Sequence, residues 1–337
     1  MDASHDLHVL DLSSPSTAWL ERLLGFKNLK EALTNTEGPP IFARVASLDE
    51  LREGLALSPN CPLSLITSPR TQLPAFLKSL EAIPLSSEPG EWRKDFECLE
   101  ASSTDAALIV YLQNPQLLDG STLPPELLAR LLEDLSVLKK KWTRVVIVSD
   151  ETLGGFAWDL ADDPAQMARM PAASVADWEL HVAYRPEFLL GPDQETPDIL
   201  LWSAPKSRAT WKSRTPKIAS PVAWKLLQRD LNQGIEIVRF RHLAMRNLKT
   251  LGTALGPLTR AGKIQIDHWP LSGFWITLKL PDRGDEDPQL LTKRLEKQGI
   301  KLYPRPLRPG EIVFSYVLDN AKLRQGLERL VAALEVL

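Results

Sequence analysis

Apolar and polar positions alternate between strand-like and helix-like periods along this chain. Ala107 to Leu112 (ALIVYL) is a continuous apolar run of strand length, the pattern of a β-strand buried on both faces of a parallel sheet. A helix follows. Thr122 and Pro124 are start signals, Leu127, Leu128, Leu131, Leu132, Leu135 and Leu138 recur at helical spacing, and Lys139 to Lys141 give the basic finish that suits a helix C-terminus. Val145 to Val148 reads as the next buried strand. Strand, helix, strand in this order is a βαβ unit, which predicts an α/β fold with a mostly parallel central sheet and helices on both faces. Such sheets bind ligands outside the carboxyl ends of their strands. Ser149, Asp150 and Glu151 stand at that end of the Val145 strand, and Ser203 to Lys206 follow another apolar run, Ile199 to Trp202. The expectation is that these two polar clusters converge on one edge.

After Pro221 the pattern changes. A long helical stretch rich in Arg and Leu, around Ile235 to Leu255, leads to strands at Lys263 to His268 and Phe274 to Leu280. A helix near Gln289 to Lys297, a strand at Ile312 to Tyr316 and a terminal helix from Ala321 to Val336 complete a smaller α+β lobe. The expected division is an N-terminal segment over 1–45 packing on the small lobe, a large ligand-binding domain over 46–220, and the small C-terminal domain over 221–337.

Composition narrows the function classes. The chain has 337 residues, 44% of them hydrophobic, enough for a sizeable core in two lobes. A formal net charge of -3, from 43 acidic and 40 basic residues, implies no general attraction to nucleic acid or to an anionic membrane. Two cysteines, Cys61 and Cys98, and the lack of a charged-then-apolar leader at Met1 to Leu12 suit a reducing cytoplasm. No apolar run approaches the roughly 20 residues of a membrane span. The five histidines show no metal-ligand spacing with each other or with the cysteines.

Several short segments carry a resemblance, and their order matters more than any one of them. Leu48 to Leu55 (LDELREGL), Leu65 to Ser68 (LITS), Asn114 to Gly120 (NPQLLDG), Val148 to Glu151 (VSDE) and Ser203 to Lys206 (SAPK), with Arg214 eight residues beyond the lysine, follow one another in sequence. Ser272 to Pro281 (SGFWITLKLP) and Phe314 to Leu327 (FSYVLDNAKLRQGL) extend the series almost to the end. Read together, they resemble the class I/II aminotransferases, the fold-type-I pyridoxal-phosphate-dependent enzymes, across nearly the whole chain.

The resemblance implies pyridoxal 5'-phosphate as cofactor, a small amino compound as substrate and a homodimer. It makes Lys206 the lysine whose amine forms an imine with the cofactor aldehyde. Asp150 becomes the carboxylate that keeps the pyridine nitrogen protonated. Ser203, Arg214 and Ser68 become phosphate ligands. Outside that register, the basic run Lys206, Arg208, Lys212, Arg214, Lys217 reads as an exposed loop, and Asp150 as a helix cap.

The departures from the pattern fall on the active site. Leu117 and Leu153 stand where the family has an Asn and a Tyr that contact the cofactor's phenolic oxygen, and Pro69 follows Ser68 where a Gly or Ala is usual. Val313 replaces the arginine that takes the substrate carboxylate, with Arg305 and Arg308 as nearby cations. Between Ser68 and Ile83 the chain is too short for the strand and helix that carry a ring-stacking aromatic. Two readings follow: a cofactor-dependent enzyme with an unconventional substrate, or a catalytically degenerate homologue with a binding, regulatory or assembly role. A sensor lobe of the kind found in aminotransferase-like transcription regulators fits less well, since no helix-turn-helix pattern precedes the large domain.

Overall fold

The computed structural model describes residues 10–13, 15–16, 43–86, 88–150, 152–153, 156, 178–185, 200–203, 235–304 and 308–336. In chain order its elements are β1 (Leu10–Asp11), β2 (Ala43–Val45), α1 (Leu48–Gly54), β3 (Leu63–Thr67), β4 (Ala82–Pro84), α2 (Trp92–Cys98), β5 (Ala107–Gln113), α3 (Pro125–Leu135), β6 (Arg144–Asp150), β7 (Glu179–Tyr184) and β8 (Leu200–Ser203). The second half adds α4 (Ile235–Arg260), β9 (Trp275–Lys279), α5 (Pro288–Glu296), β10 (Ile300–Lys301), β11 (Glu311–Ser315) and α6 (Asn320–Val336).

A seven-stranded sheet in the order β2-β8-β7-β6-β5-β3-β4 forms the large domain. Only β8 is reversed; it pairs antiparallel with β7 on one side and β2 on the other, while the other pairings are parallel. The continuous apolar run of β5 is buried along its whole length because both faces are covered. Leu108, Val110 and Leu112 point into a core with Trp92 and Phe96 of α2 and Leu128, Leu131, Leu132 and Leu135 of α3. Ile109 and Tyr111 point the other way, to Leu51 of α1, Leu55 just beyond it, and Leu73 and Leu77. The basic finish to α3 has a structural use as well: Lys141 Nζ donates to the carbonyls of Glu97 (2.6 Å) and Leu99 (2.7 Å) at the end of α2.

The smaller lobe is built on the antiparallel pair β9–β11, packed by α4, α5 and α6. Leu10 and Asp11 add to it by pairing in parallel with Ile300 and Lys301. Leu12 then inserts against α6 so closely that a Cβ on Gly326 would stand 2.7 Å from it. The indole of Trp275 donates to the carbonyl of Ser13 at 3.0 Å. One expected strand does not form: of Lys263 to His268, only Gln265 pairs, with Lys279. Beyond it the chain leaves the sheet, and Asp267 meets Arg70 of the large domain at 3.5 Å.

A continuous apolar core joins the lobes. Leu117, Leu118, Leu153 and Phe156 from the large domain pack with Phe240, Phe274 and Trp275, and the Phe156 and Phe274 rings lie edge to face at 4.7 Å. Backbone contacts reinforce it: Gly273 donates to the carbonyl of Phe156, and Leu271 to that of Gly120. Gly120 has φ +63°, and a Cβ there would stand 2.1 Å from the Ser272 oxygen, so only glycine fits this crossing. Among the described residues no helix is long and apolar enough to cross a membrane.

Candidate functional site at the carboxyl edge of the sheet

Strands β3, β5, β6 and β7 run parallel and end on one edge at Thr67, Gln113, Asp150 and Tyr184. Asp150 is fully buried there, and its carboxylate is held by four donors. Oδ2 accepts from the hydroxyl of Tyr111 (2.7 Å) and the amide of Gln113 (2.8 Å). Oδ1 accepts from the backbone N–H (3.1 Å) and hydroxyl (2.6 Å) of Thr152. Gln113 is oriented in turn, because its Oε1 accepts from the N–H of Leu117 at 3.2 Å.

The network continues along the edge. The N–H of Arg185, just beyond β7, donates to Thr152 Oγ1 at 2.9 Å. Arg185 is buried, and its guanidinium donates through Nη1 to the carbonyl of Gln72. Gln72 Oε1 accepts from the hydroxyl of Tyr303 at 3.0 Å, which brings the small lobe into the network. Tyr111, Gln113, Gln72 and Arg185 were absent from the candidates drawn from sequence. For Tyr111 and Gln113 a signal existed: polar atoms in the last three residues of a buried strand beside Asp150.

Ser68 lies at the end of β3, half-buried, with its hydroxyl accepting from the N–H of Arg70 at 3.3 Å. Its carbonyl accepts from Thr71, closing a turn that contains Pro69. Arg70 points away to carboxylates, with Nη1 2.7 Å from Asp119 and Nη2 3.5 Å from Asp267. These two ion pairs border a small polar cavity between the lobes, where Arg308 and Glu311 also lie. Burial pushes the Glu311 carboxyl above its ordinary value, against the opposing charges of Arg308 and Arg70. Arg308 is thereby placed at this polar junction, whereas Arg305 lies outside the described residues. Leu117, Leu153 and Val313 are all fully buried in the apolar core joining the lobes.

Of the expected convergence of Ser203 to Lys206 on the Asp150 edge, the described residues include only Ser203, at the end of a strand that runs opposite to β6 and β7. In the antiparallel register Leu201 lies opposite Tyr184 and Ser203 opposite Val182, while Asp150 is level with Ala183. Within β8 the chain therefore runs from the carboxyl edge of the sheet toward its amino edge. A four-residue apolar run has the same pattern in either direction, so the sequence held no sign of this reversal. Only the backbone of Ser203 is described, and Lys206 and Arg214 lie outside the described residues. From Ala43 to Ser203 the lysines are Lys78, Lys94, Lys139, Lys140 and Lys141. None of them stands at a carboxyl strand end, and the last three precede β6.

Neither a family model nor a curated protein matches this chain by sequence. Solved structures do match it. An aspartate aminotransferase double mutant from Thermus thermophilus is 15% identical, with a TM-score of 0.60 over 96% of this chain and 91% of that one. The α-aminoadipate aminotransferase of the same organism, complexed with N-(5'-phosphopyridoxyl)-L-leucine, is 14% identical, with a TM-score of 0.63 over 98% and 92%. A protein from Corynebacterium diphtheriae described as a putative PLP-dependent β-cystathionase is 14% identical, with a TM-score of 0.64 over 99% and 94%. The chain has the fold-type-I pyridoxal-phosphate fold. This agrees with the α/β architecture expected from sequence, and at these identities the likeness is one of fold.

Proposed function

We propose that the carboxyl edge around Asp150 is a pyridoxal-phosphate site, and that the protein, as a homodimer, acts on a small amino compound by aminotransferase- or lyase-type chemistry. The observation that carries this reading is a fully buried carboxylate at the ligand-binding edge of this fold. When bound, the cofactor supplies an aldehyde carbon and a protonated ring that withdraws electrons from it. Asp150 holds the proton on the ring nitrogen. Because a carboxylate offers about four acceptor positions and protein donors use four, either Tyr111 or Gln113 yields its place on Oδ2 to the ring. Leu117 and Leu153 exclude water from the lobe junction. Lys206 is the residue proposed to bond the aldehyde, with Ser203, Arg214 and Ser68 on the phosphate.

The alternative reading is a degenerate homologue that binds without catalysis. One experiment separates the two. The protein is incubated with pyridoxal phosphate, its visible spectrum recorded, and any lysine adduct fixed with borohydride and located by peptide mapping. An adduct on Lys206, abolished in Lys206→Ala, is the expected result for the enzyme. Binding without an adduct supports the degenerate homologue, and no binding overturns the cofactor site altogether.

A further inference from the structure

We propose that the outer groove between α4 and α6 of the small lobe docks an amphipathic helix of a partner protein, one that is acidic at its carboxyl end and basic at its amino end. The two helices are tied at both ends and run side by side in the same direction. The amide of Asn320, where α6 starts, donates to Asn247 Oδ1 (3.1 Å) and Thr250 Oγ1 (3.3 Å) on α4. Lys263 Nζ, just beyond α4, donates to the carbonyl of Glu335 near the end of α6 at 3.0 Å. Between these ties lies a solvent-open groove of about 680 Å³. Its floor is small and apolar: Leu327 is buried, and Ala254 and Val331 pack on the core of the lobe. Thr250 and Thr253 turn their hydroxyls onto the carbonyls of Arg246 and Lys249 in their own helix, each at 3.1 Å, which leaves methyl groups to the groove. From Arg324 to Glu335 the groove follows α6 for about 16 Å, roughly three turns of a third helix.

The charges around the groove choose the occupant and its direction. Arg246, Lys249 and Arg324 stand toward the end where α6 begins, and Glu328 and Glu335 follow toward its other end. All five are exposed, and none of them makes an ion pair among the described residues. On α2 an Arg and a Glu four positions apart, Arg93 and Glu97, do pair, at 3.2 Å. Arg324 and Glu328 have the same spacing and stay apart, each open to an outside partner. A helix laid antiparallel to α6 brings its carboxyl end, with the negative end of its dipole and Asp or Glu side chains, against the three cations. Its amino end, with Lys or Arg, then meets Glu335. A small-residue stripe flanked by unpaired charges of opposite sign at its two ends is complementary to such a helix and to its direction.

The test is fluorescence anisotropy of two labelled synthetic peptides titrated with the full-length protein, each peptide about twelve residues long, roughly three helical turns. The matched peptide has Leu and Ala along one face, Lys near its amino end and Glu near its carboxyl end; the control exchanges the Lys and Glu positions and nothing else. At low salt the matched peptide should bind about 10-fold more tightly than the control, a preference that fades as ionic strength rises. Lys249→Glu/Arg324→Glu should reverse the preference, and Ala332→Trp, which fills the groove from an exposed position, should remove binding of both peptides. Both variants should melt at the wild-type temperature, because the substituted residues are exposed. Equal affinity for the two peptides, binding unaffected by Ala332→Trp, or no binding of either peptide overturns the proposal. Self-association that is lost in Lys249→Glu/Arg324→Glu, followed by analytical ultracentrifugation without peptide, assigns the groove to a second copy and overturns it as well. The groove shares no residue with the Asp150 network, so none of these outcomes bears on the cofactor reading.

Discussion

Asp150 and Glu179 are carboxylates on adjacent strands at opposite edges of the same sheet, and the chain surrounds them differently. Glu179, at the start of β7, accepts from Arg144 Nε at 2.6 Å and pairs with its Nη2, while His181 Nε2 lies 2.9 Å away. Burial alone would raise its pKa, but the hydrogen bonds from His181 and Arg144 and the charge of Arg144 outweigh it and bring the pKa to about 2. Asp150 is more deeply buried, yet the donors described around it, Tyr111, Gln113 and Thr152, are all neutral. The amino edge thus carries a closed ion pair that serves stability. The carboxyl edge carries a buried carboxyl group whose hydrogen bonds come from neutral groups, the group that the proposed cofactor site uses.

The strongest way to break this contrast is to remove the Asp150 side chain. Asp150→Ala leaves Tyr111, Gln113 and Thr152 facing a void, and urea unfolding should show a loss of about 3–5 kcal/mol. A loss below about 1 kcal/mol would mean the network holds nothing together. Next in size is Leu117→Asn, which returns a polar group to the dry lobe junction. It should cost about 2–4 kcal/mol in the same assay without creating a new site, because its surroundings are apolar.

Glu179→Gln should cost less, about 1–3 kcal/mol at neutral pH, since the pair is partly exposed. Its pH dependence is distinctive. The folded pKa is depressed from 4.5 to about 2, so the contribution is fully present above about 4.5 and is lost as pH falls toward 2. Denaturation curves of Glu179→Gln should therefore lose part of the wild-type acid sensitivity in that window. Glu311 has the opposite sign. Its raised folded pKa favours the protonated form, so its contribution is present below the ordinary carboxylate value and lost as pH rises through the folded value. Glu311→Gln should thus stabilise the lobe junction at neutral pH, by under about 1 kcal/mol, with the difference from wild type disappearing at acid pH.

How far the sequence reached depended on whether the feature was local. β5, β6, α3 and α6 follow directly from apolar period, and Asp150 was visible because a polar cluster ends a buried strand. The direction of β8 was not visible, since antiparallel insertion between β7 and β2 depends on partners far away in the chain. Lys263 to His268 has strand-like alternation, yet a single residue pairs before Asp267 meets Arg70. Arg185, Gln72 and Tyr303 join Asp150 only through tertiary contacts spanning up to 231 positions, which no local pattern records.

The most direct test of the central claim is hydrogen exchange on the full-length protein with and without pyridoxal phosphate. The account predicts ligand-dependent protection in peptides covering Thr67 to Gln72, Gln113 to Leu117, Asp150 to Leu153 and Ala183 to Arg185, with the Arg144 to Val146 end of β6 unchanged. Protection confined to other segments, or none at saturating ligand, would contradict a cofactor site at the Asp150 edge.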